Sequence, residues 1–363
     1  MDDVKFNSNY LAKPICPEMI VLVGLSGCGK STFAKEFVRM KSKNGRAYTI
    51  ISSDEIRKEL TGNVENQQVN EEVFNVVHRR MKESLRANKS VIIDATNLAL
   101  KNRRAYFNCV KKIPCIKICY IFNVPISMCI ERQQNEDREL HLSEEILKRM
   151  EMKFEIPFMG EGWDAIHFVD KNGKVIHNYD FDSKVKIVED ITTIPMFKEQ
   201  VGFNQKNRHH LYTLDEHSRR VAQAVRDLEP PNLVKTNKSA RDDWYGFIKN
   251  MLIKVAYLHD YGKMFVGVPK DDGSGDYKYF NHHNVGAYRI MNNMEQLGID
   301  DIDSIAEFLF YVNYHMQPFF INTPKAEDKW KEIFGEWNYE ILTFFNKCDI
   351  IGSGTRDERV GVN

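Results

Sequence analysis

The chain has 363 residues, 42% hydrophobic and 28% charged, with 51 basic and 51 acidic side chains. That length suggests two domains, each able to bury its own core, and the zero formal charge excludes a uniformly basic coat, so any contact with a polyanion must come from a local patch. No run approaches the about eighteen consecutive apolar residues of a membrane span, and the opening MDDVKFNSNYLAKPIC lacks the layout of a secretory signal, so a cytoplasmic protein without membrane contact is expected.

Apolar runs of strand length recur through the first half: MIVLVG, AYTIISSD, SVIIDATN, IKICYIFNV and DAIHFVD. Segments with helical spacing, such as NEEVFNVVHRRMKESLRANK and SEEILKRMEMKFEI, lie between them. This alternation predicts an α/β domain with a parallel sheet covered on both faces. After about residue 195 the apolar positions follow helical periods, in LDEHSRRVAQAVRDL, WYGFIKNMLIKVAYLHDYGK, HNVGAYRIMNNMEQL, DSIAEFLFYVNYHM and NYEILTFFNKCDIIG. The second half is therefore expected to be all-α. FKEQVGFNQKNRHH has no clear period and reads as a linker, which divides the chain into 1–195, a linker over 196–209, and 210–363. The seven cysteines include no CxxC pair and read as reduced packing thiols.

Within VLVGLSGCGKSTFAKEF, residues Gly24, Gly29, Lys30 and Ser31 fit G-x-x-x-x-G-K-[ST] between a predicted strand and a predicted helix. Gly24, Gly27 and Gly29 let backbone N–H groups wrap phosphates, Lys30 reaches the terminal phosphates of ATP, Ser31 can hold Mg²⁺, and Thr32 opens the helix. SSDEIRKEL puts Asp54 and Arg57 just past the carboxyl end of the second strand, the edge where open α/β sheets bind ligands. Asp54 can orient or deprotonate a hydroxyl there and Arg57 can hold an anionic acceptor, while a helix cap and a solvated charge are the competing reading. Asp94, ending the third strand, suits Mg²⁺ coordination or bracing of Arg57. Arg132 and Arg138 suit a lid over the triphosphate, or a solvated helix face.

Together these segments resemble the polynucleotide 5′-kinases and their P-loop relatives, through GLSGCGKST, SDEIR, DATN with Arg103 and Arg104 nearby, and VP…ER…R. The similarity covers most of residues 18 to 192. It implies that Asp54 is the general base on a 5′-hydroxyl and that Arg57 contacts the acceptor nucleotide's phosphate. Glu136 stands where some relatives carry the lid arginine, so Arg138 is assigned that role instead.

The helical half carries a second constellation: His217, His259 with Asp260, His282, His315 and Asp349, each on or beside a separate apolar helix. Imidazoles and carboxylates gathered from several helices suit Mn²⁺, Fe²⁺, Ni²⁺, Co²⁺ or Zn²⁺. His209 and His210 precede the first of these helices, and His283 is not expected to be a ligand.

This pattern resembles the HD phosphohydrolase superfamily, through TL-x-EH, LHDYGK, H-x-x-x-GA, YH-x-x-P and the late aspartate, over about residues 210 to 355. The resemblance implies that His217, His259, Asp260 and Asp349 hold one divalent metal. His282 and His315 would complete a second site bridged by Asp260, and Lys263 would contact the substrate phosphate.

The two resemblances make sense on one substrate. A kinase acting on 5′-hydroxyl ends and a metallohydrolase acting on 2′,3′-cyclic or 2′/3′-phosphate ends together imply a bifunctional RNA end-healing enzyme whose products suit an RNA ligase. Arg79-Arg80, Lys101 with Arg103-Arg104, Lys111-Lys112, and Lys206 with Arg208 are candidate contacts for a single-stranded nucleic-acid end. Two rival readings are a nucleoside kinase joined to an HD nucleotidase, and an ATP-responsive regulatory module.

Overall fold

The computed structural model describes residues 16–42, 47–136, 139–177, 190–208 and 211–354. Arg138, His209 and His210 lie outside the described residues.

The five apolar runs of the first half form one parallel sheet: β1 (Glu18–Val23), β2 (Tyr48–Ser52), β3 (Ser90–Asp94), β4 (Ile116–Phe122) and β5 (Ala165–Val169), in the order β2-β3-β1-β4-β5. Register follows burial, with Ile20 facing Ile92 on one side and Ile118 on the other, and the central strand is buried throughout and apolar from Met19 to Val23. Helices α1 (Lys30–Ser42), α2 (Ser53–Thr61), α3 (Asn70–Arg86), α4 (Leu100–Val110), α5 (Ile126–Arg132) and α6 (Glu144–Glu151) complete this half. Because every strand is parallel, the residues following β1, β2 and β3 all emerge at one edge of the sheet. Gly24, Ser53 and Ala95 are the first residues beyond that edge.

The second half is helical: α7 (Leu214–Asp227), α8 (Lys249–Leu258), α9 (His282–Met291), α10 (Ile302–Tyr314), α11 (Pro324–Phe334) and α12 (Glu336–Gly352). α7 is capped by Thr213, whose backbone N donates to the Glu216 carboxylate at 3.2 Å, and packs on α8 and α12. Two features depart from an all-α expectation. A two-stranded hairpin, β6 (Val268–Pro269) with β7 (Tyr277–Lys278), is closed by the turn-forming stretch DDGSGD, and Trp244–Ile248 winds as a π-helix into α8.

The stretch expected as a linker is packed rather than loose. Met196, Phe197, Gln200 and Gln205 are buried, with Gln200 Nε2 donating to the Tyr257 carbonyl at 3.0 Å. Apolar side chains of both halves also meet directly: the Phe158 ring lies 4.7 Å from Phe310 and 5.6 Å from Phe334. None of the seven cysteines is in a disulfide. No helix among the described residues is long and apolar enough to cross a membrane.

Candidate active sites

The first site opens at the carboxyl edge of the sheet as a cleft of about 1150 Å³, lined by Gly27, Gly29, Lys30, Ser31, Thr32, Asp54, Arg57 and Asp94 among others. Gly27 and Gly29 turn the loop at φ +86° and +102°, a region that a side chain rarely adopts. Gly24 sits beneath the loop instead of lining the cleft, where a Cβ would fall 2.6 Å from Cys28 Sγ. Lys30 is buried, and its Nζ donates to the carbonyls of Gly24 (3.1 Å) and Leu25 (2.7 Å). Ser31 and Asp94 both line the cleft, and the Ser31 side chain favours the ionised form of the Asp94 carboxyl. Burial raises the Asp94 carboxyl above its ordinary value against the nearby Lys30 charge, so a cation at this point would find a carboxylate with little competing hydration.

Ser52, not Asp54, caps α2, its Oγ accepting from Glu55 N at 3.3 Å. Asp54 is therefore free of that duty and half exposed at the cleft, tied to Arg57 Nη1 at 2.7 Å. Arg57 is buried; its Nη2 donates to Asn70 Oδ1 at 2.8 Å, while its Nε has no hydrogen-bond partner among the described residues. Asp94 thus shares the cleft with Ser31, and Arg57 is braced by Asp54 and Asn70. Sequence reading missed Asn70, because a polar residue opening a helix carries no sign of what it will face.

Arg132 lies against the phosphate loop, its Nη1 donating to Gly27 O at 3.2 Å and its Nη2 to Lys171 O at 3.0 Å. The arginine pair after DATN behaves otherwise. Arg103 is completely buried, its guanidinium held by Glu161 at 2.6 and 2.8 Å and by the carbonyls of Asn97 and Leu98, so it serves the interior rather than a nucleic-acid face. Other candidate patch residues are paired too: Arg80 with Glu59, Arg104 with Glu332, and Arg208 with Asp276. Lys111 and Lys112 stay exposed.

The second site assembles all six residues singled out in the helical half. Asp260 is at its centre. Its Oδ2 lies 3.3 Å from both His217 Nε2 and His259 Nε2, and its Oδ1 lies 3.0 Å from His282 Nε2 and 3.7 Å from His315 Nε2. Asp349 Oδ1 closes the first group at 3.1 Å from His217 and 3.6 Å from His259. Three of the rings are locked through their other nitrogen: Nδ1 of His259, His282 and His315 donates to the carbonyl three residues back, at 2.9, 2.8 and 2.7 Å. With Nδ1 so committed, Nε2 points inward in each ring, the usual preparation of an imidazole that ligates once any proton on Nε2 has left.

A glycine contact brings these groups together. A Cβ at Gly262 would lie 1.9 Å from the His282 carbonyl oxygen and 2.6 Å from Gly286 N, so α9 crosses the Asp260–Gly262 turn too closely for any side chain. This accounts for the glycines in DYGK and in H-x-x-x-GA.

Electrostatics show that the cluster favours positive charge. Burial works against the His259 cation, but Asp260 and Asp349 outweigh it and push its pKa up to about 10; His217 is raised in the same way. Asp260 and Asp349 are held well below the usual carboxylate range, despite burial, by the surrounding cations and hydrogen bonds. Burial pushes His315 down to about 4. The cluster offers three overlapping groups of three donors, all buried and each with its ligand atoms within 4.8 Å of one another. They are His217, His259 and Asp260; Asp260, His282 and His315; and His259, His315 and Asp349, which joins the other two. This composition fits divalent transition ions. His283 lies beside the rings of His282 and His315 but in none of these groups. Lys263, expected to face a substrate phosphate, is instead buried, donating to Asp260 Oδ2 at 2.7 Å and Gln205 Oε1 at 2.9 Å. Gln205 was not legible in sequence because it falls in the unperiodic stretch.

The parallel sheet and phosphate loop define the N-terminal half as an α/β P-loop kinase fold. A family model described as an AAA domain matches residues 19–157. The chain is 25% identical to L-seryl-tRNA(Sec) kinase of Methanococcus maripaludis over 226 residues, 62% of this chain and 84% of that protein. Among solved structures it is similar to a chain of the Pnkp1/Rnl/Hen1 RNA repair complex (21% identity, 49% of this chain and 54% of that chain, TM-score 0.35). It is also similar to a gluconokinase from Sinorhizobium meliloti 1021 (16% identity, 43% and 83%, TM-score 0.31). The match thus spans about half the length of the repair-complex chain.

Proposed function

We propose that the protein is a bifunctional RNA end-healing enzyme that phosphorylates 5′-hydroxyl ends with ATP and hydrolyses 2′,3′-cyclic phosphate or 2′/3′-phosphate ends. The observation that carries the pairing is Asp260, whose two oxygens each face a pair of imidazole Nε2 atoms, on the same chain as a P-loop cleft. A kinase of small alcohols alone would have no use for that cluster. The curated relative is, by its name, a kinase of an aminoacylated RNA, which supports an RNA-borne acceptor over a free small alcohol. An RNA ligase would be the natural consumer of the healed ends.

In the kinase cleft Asp54 takes the proton of the acceptor hydroxyl, and Arg57, rigid between Asp54 and Asn70, holds the acceptor's phosphate. Lys30 leaves the loop carbonyls for the terminal phosphates of ATP, Arg132 adds charge beside the phosphate loop, and Ser31 with Asp94 would hold Mg²⁺. In the helical half, His217, His259, Asp260 and Asp349 would hold one cation, and Asp260, His282 and His315 a second. Bound ions would supply a water acidic enough to attack a phosphate ester and would stabilise its oxygens. Lys263 and Gln205 keep the Asp260 carboxylate ionised and fixed in direction.

The test is one short RNA with a 5′-hydroxyl and a 2′,3′-cyclic phosphate, incubated with ATP, Mg²⁺ and in turn Mn²⁺, Ni²⁺ or Co²⁺, and resolved by mass. Wild type should phosphorylate the 5′ end and open the cyclic end; Lys30→Ala should lose only the first reaction and Asp260→Ala only the second. Phosphorylation of free nucleosides with both RNA ends untouched would replace this reading by a nucleoside kinase joined to a nucleotidase. ATP binding without turnover of any acceptor would point to a regulatory module.

A further inference from the structure

Two asparagines that sequence reading passed over join the second site to the P-loop half. Asn284 follows His282 by two residues on α9, and Asn313 precedes His315 by two at the end of α10. Residues two apart on a helix point about 200° apart, so a turn that aims its histidine inward aims its asparagine the opposite way. Both asparagines are buried, and they bond to each other, Asn313 Nδ2 donating to Asn284 Oδ1 at 3.0 Å. Their remaining groups engage the backbone just after α6: Asn284 Nδ2 donates to the Met152 carbonyl at 2.8 Å, and Ile156 N donates to Asn313 Oδ1 at 2.8 Å. The same face of α9 continues onto the P-loop half through Tyr288 to the Val124 carbonyl, Arg289 to Glu151 at 2.9 Å, and Asn292 to Asn123 at 2.8 Å. α7, which carries His217, packs mainly on α8, which leads to His259, and on α12, which carries Asp349.

We propose that Asn284 and Asn313 are positioning residues through which the P-loop half holds His282 and His315 in place, so that the second cation of the Asp260 centre depends on the docking of the two halves. This rests on the reading of the cluster as a two-metal centre. The clamp acts from behind the histidines while their Nδ1 atoms are fixed from the side by the Tyr279 and Val312 carbonyls. Releasing it frees both ligand-bearing turns at once, whereas the His217–His259–Asp349 group keeps its own supports. Supporting groups one step behind ligands change metal affinity by about 10–100-fold.

The experiment is a calorimetric Mn²⁺ titration of EDTA-stripped full-length protein. Wild type is compared with Asn284→Asp, which cannot donate to Met152, with Asn313→Asp, which cannot donate to Asn284, and with His282→Ala to mark the second ion. Asn284→Ser provides a smaller lesion should an aspartate variant fail to fold, and retained 5′-kinase activity reports folding. The expected result is about a 10–100-fold weaker second Mn²⁺ in each asparagine variant with the first Mn²⁺ unchanged. Unchanged affinity for both ions, or equal weakening of both, overturns the clamp. A wild type that binds no Mn²⁺ instead overturns the metal reading beneath it.

Discussion

Replacing Gly262 by alanine sets two effects of opposite sign against each other. The residue has φ −63°, which alanine adopts freely, so restricting the unfolded chain alone would stabilise the protein by about 0.4–1 kcal/mol. The new Cβ, however, would stand 1.9 Å from His282 O and 2.6 Å from Gly286 N, both backbone atoms that cannot rotate away. Relief requires α9 to retreat by roughly 1.5 Å, to the ordinary contact distance near 3.5 Å. Overpacking of this kind costs about 1–3 kcal/mol, so the net loss is up to about 2.5 kcal/mol, with a midpoint of about 1.3 kcal/mol, or roughly 3–5 °C in melting temperature at that midpoint for a unit the size of the helical half. The same retreat carries His282 away from Asp260, 3.0 Å away at present, and a metal ligand displaced by more than about 0.2 Å no longer coordinates well. Thermal melts and parallel assays of both RNA ends should therefore give a lower melting temperature, cyclic-phosphate opening reduced at least about 100-fold, and near-normal 5′ phosphorylation. Gly246→Ala is the control: nothing lies within 4 Å of its Cβ position, so only the entropic gain remains. A Gly262→Ala protein that melts at or above wild type and still opens the cyclic end would refute the close-crossing argument.

Lys30→Ala should reduce 5′ phosphorylation by at least about 100-fold while leaving the melting temperature nearly unchanged, since the lysine's bonds are to loop carbonyls at the cleft; radiolabel transfer and a melt check this. Arg103→Leu should destabilise by about 3–5 kcal/mol in urea unfolding because it strands the buried Glu161 carboxylate, and adding Glu161→Leu should recover much of the loss. In metal-free protein the raised pKa of His259 means that its protonation stabilises fully below about 6.5, the unfolded value, and that this contribution is lost as pH climbs towards about 10; His217 acts in the same direction. Melting temperature with EDTA should fall across that window, and Mn²⁺ binding at pH 7 should release protons, measurable by calorimetry in buffers of different ionisation enthalpy. Proton-neutral binding would contradict the protonated histidines.

The five strands were legible because each contains a short, mainly apolar run, and the apolar positions of β1 and β3 are buried on both faces. The phosphate loop was legible too, since its chemistry is local: Gly24, Gly29, Lys30 and Ser31 act within a single turn of chain. The six His and Asp residues could be named from sequence, for imidazole and carboxylate at the ends of apolar helices are conspicuous. Their division between the two oxygens of Asp260 could not be read, because it depends on how five elements cross, and that crossing is set by the Gly262–Gly286 contact. Arg103 illustrates the opposite limit. In sequence it is one of a basic pair beside DATN, but its environment is the Glu161 carboxylate, 58 residues away, which turns a candidate nucleic-acid contact into an interior ion pair. Asn284, Asn313 and Gln205 likewise gain meaning only from their partners. Sequence determined which chemistry this chain can carry, because residue type and local spacing are intrinsic to it; tertiary structure decided which groups meet, because a buried polar atom must find its partner across the fold.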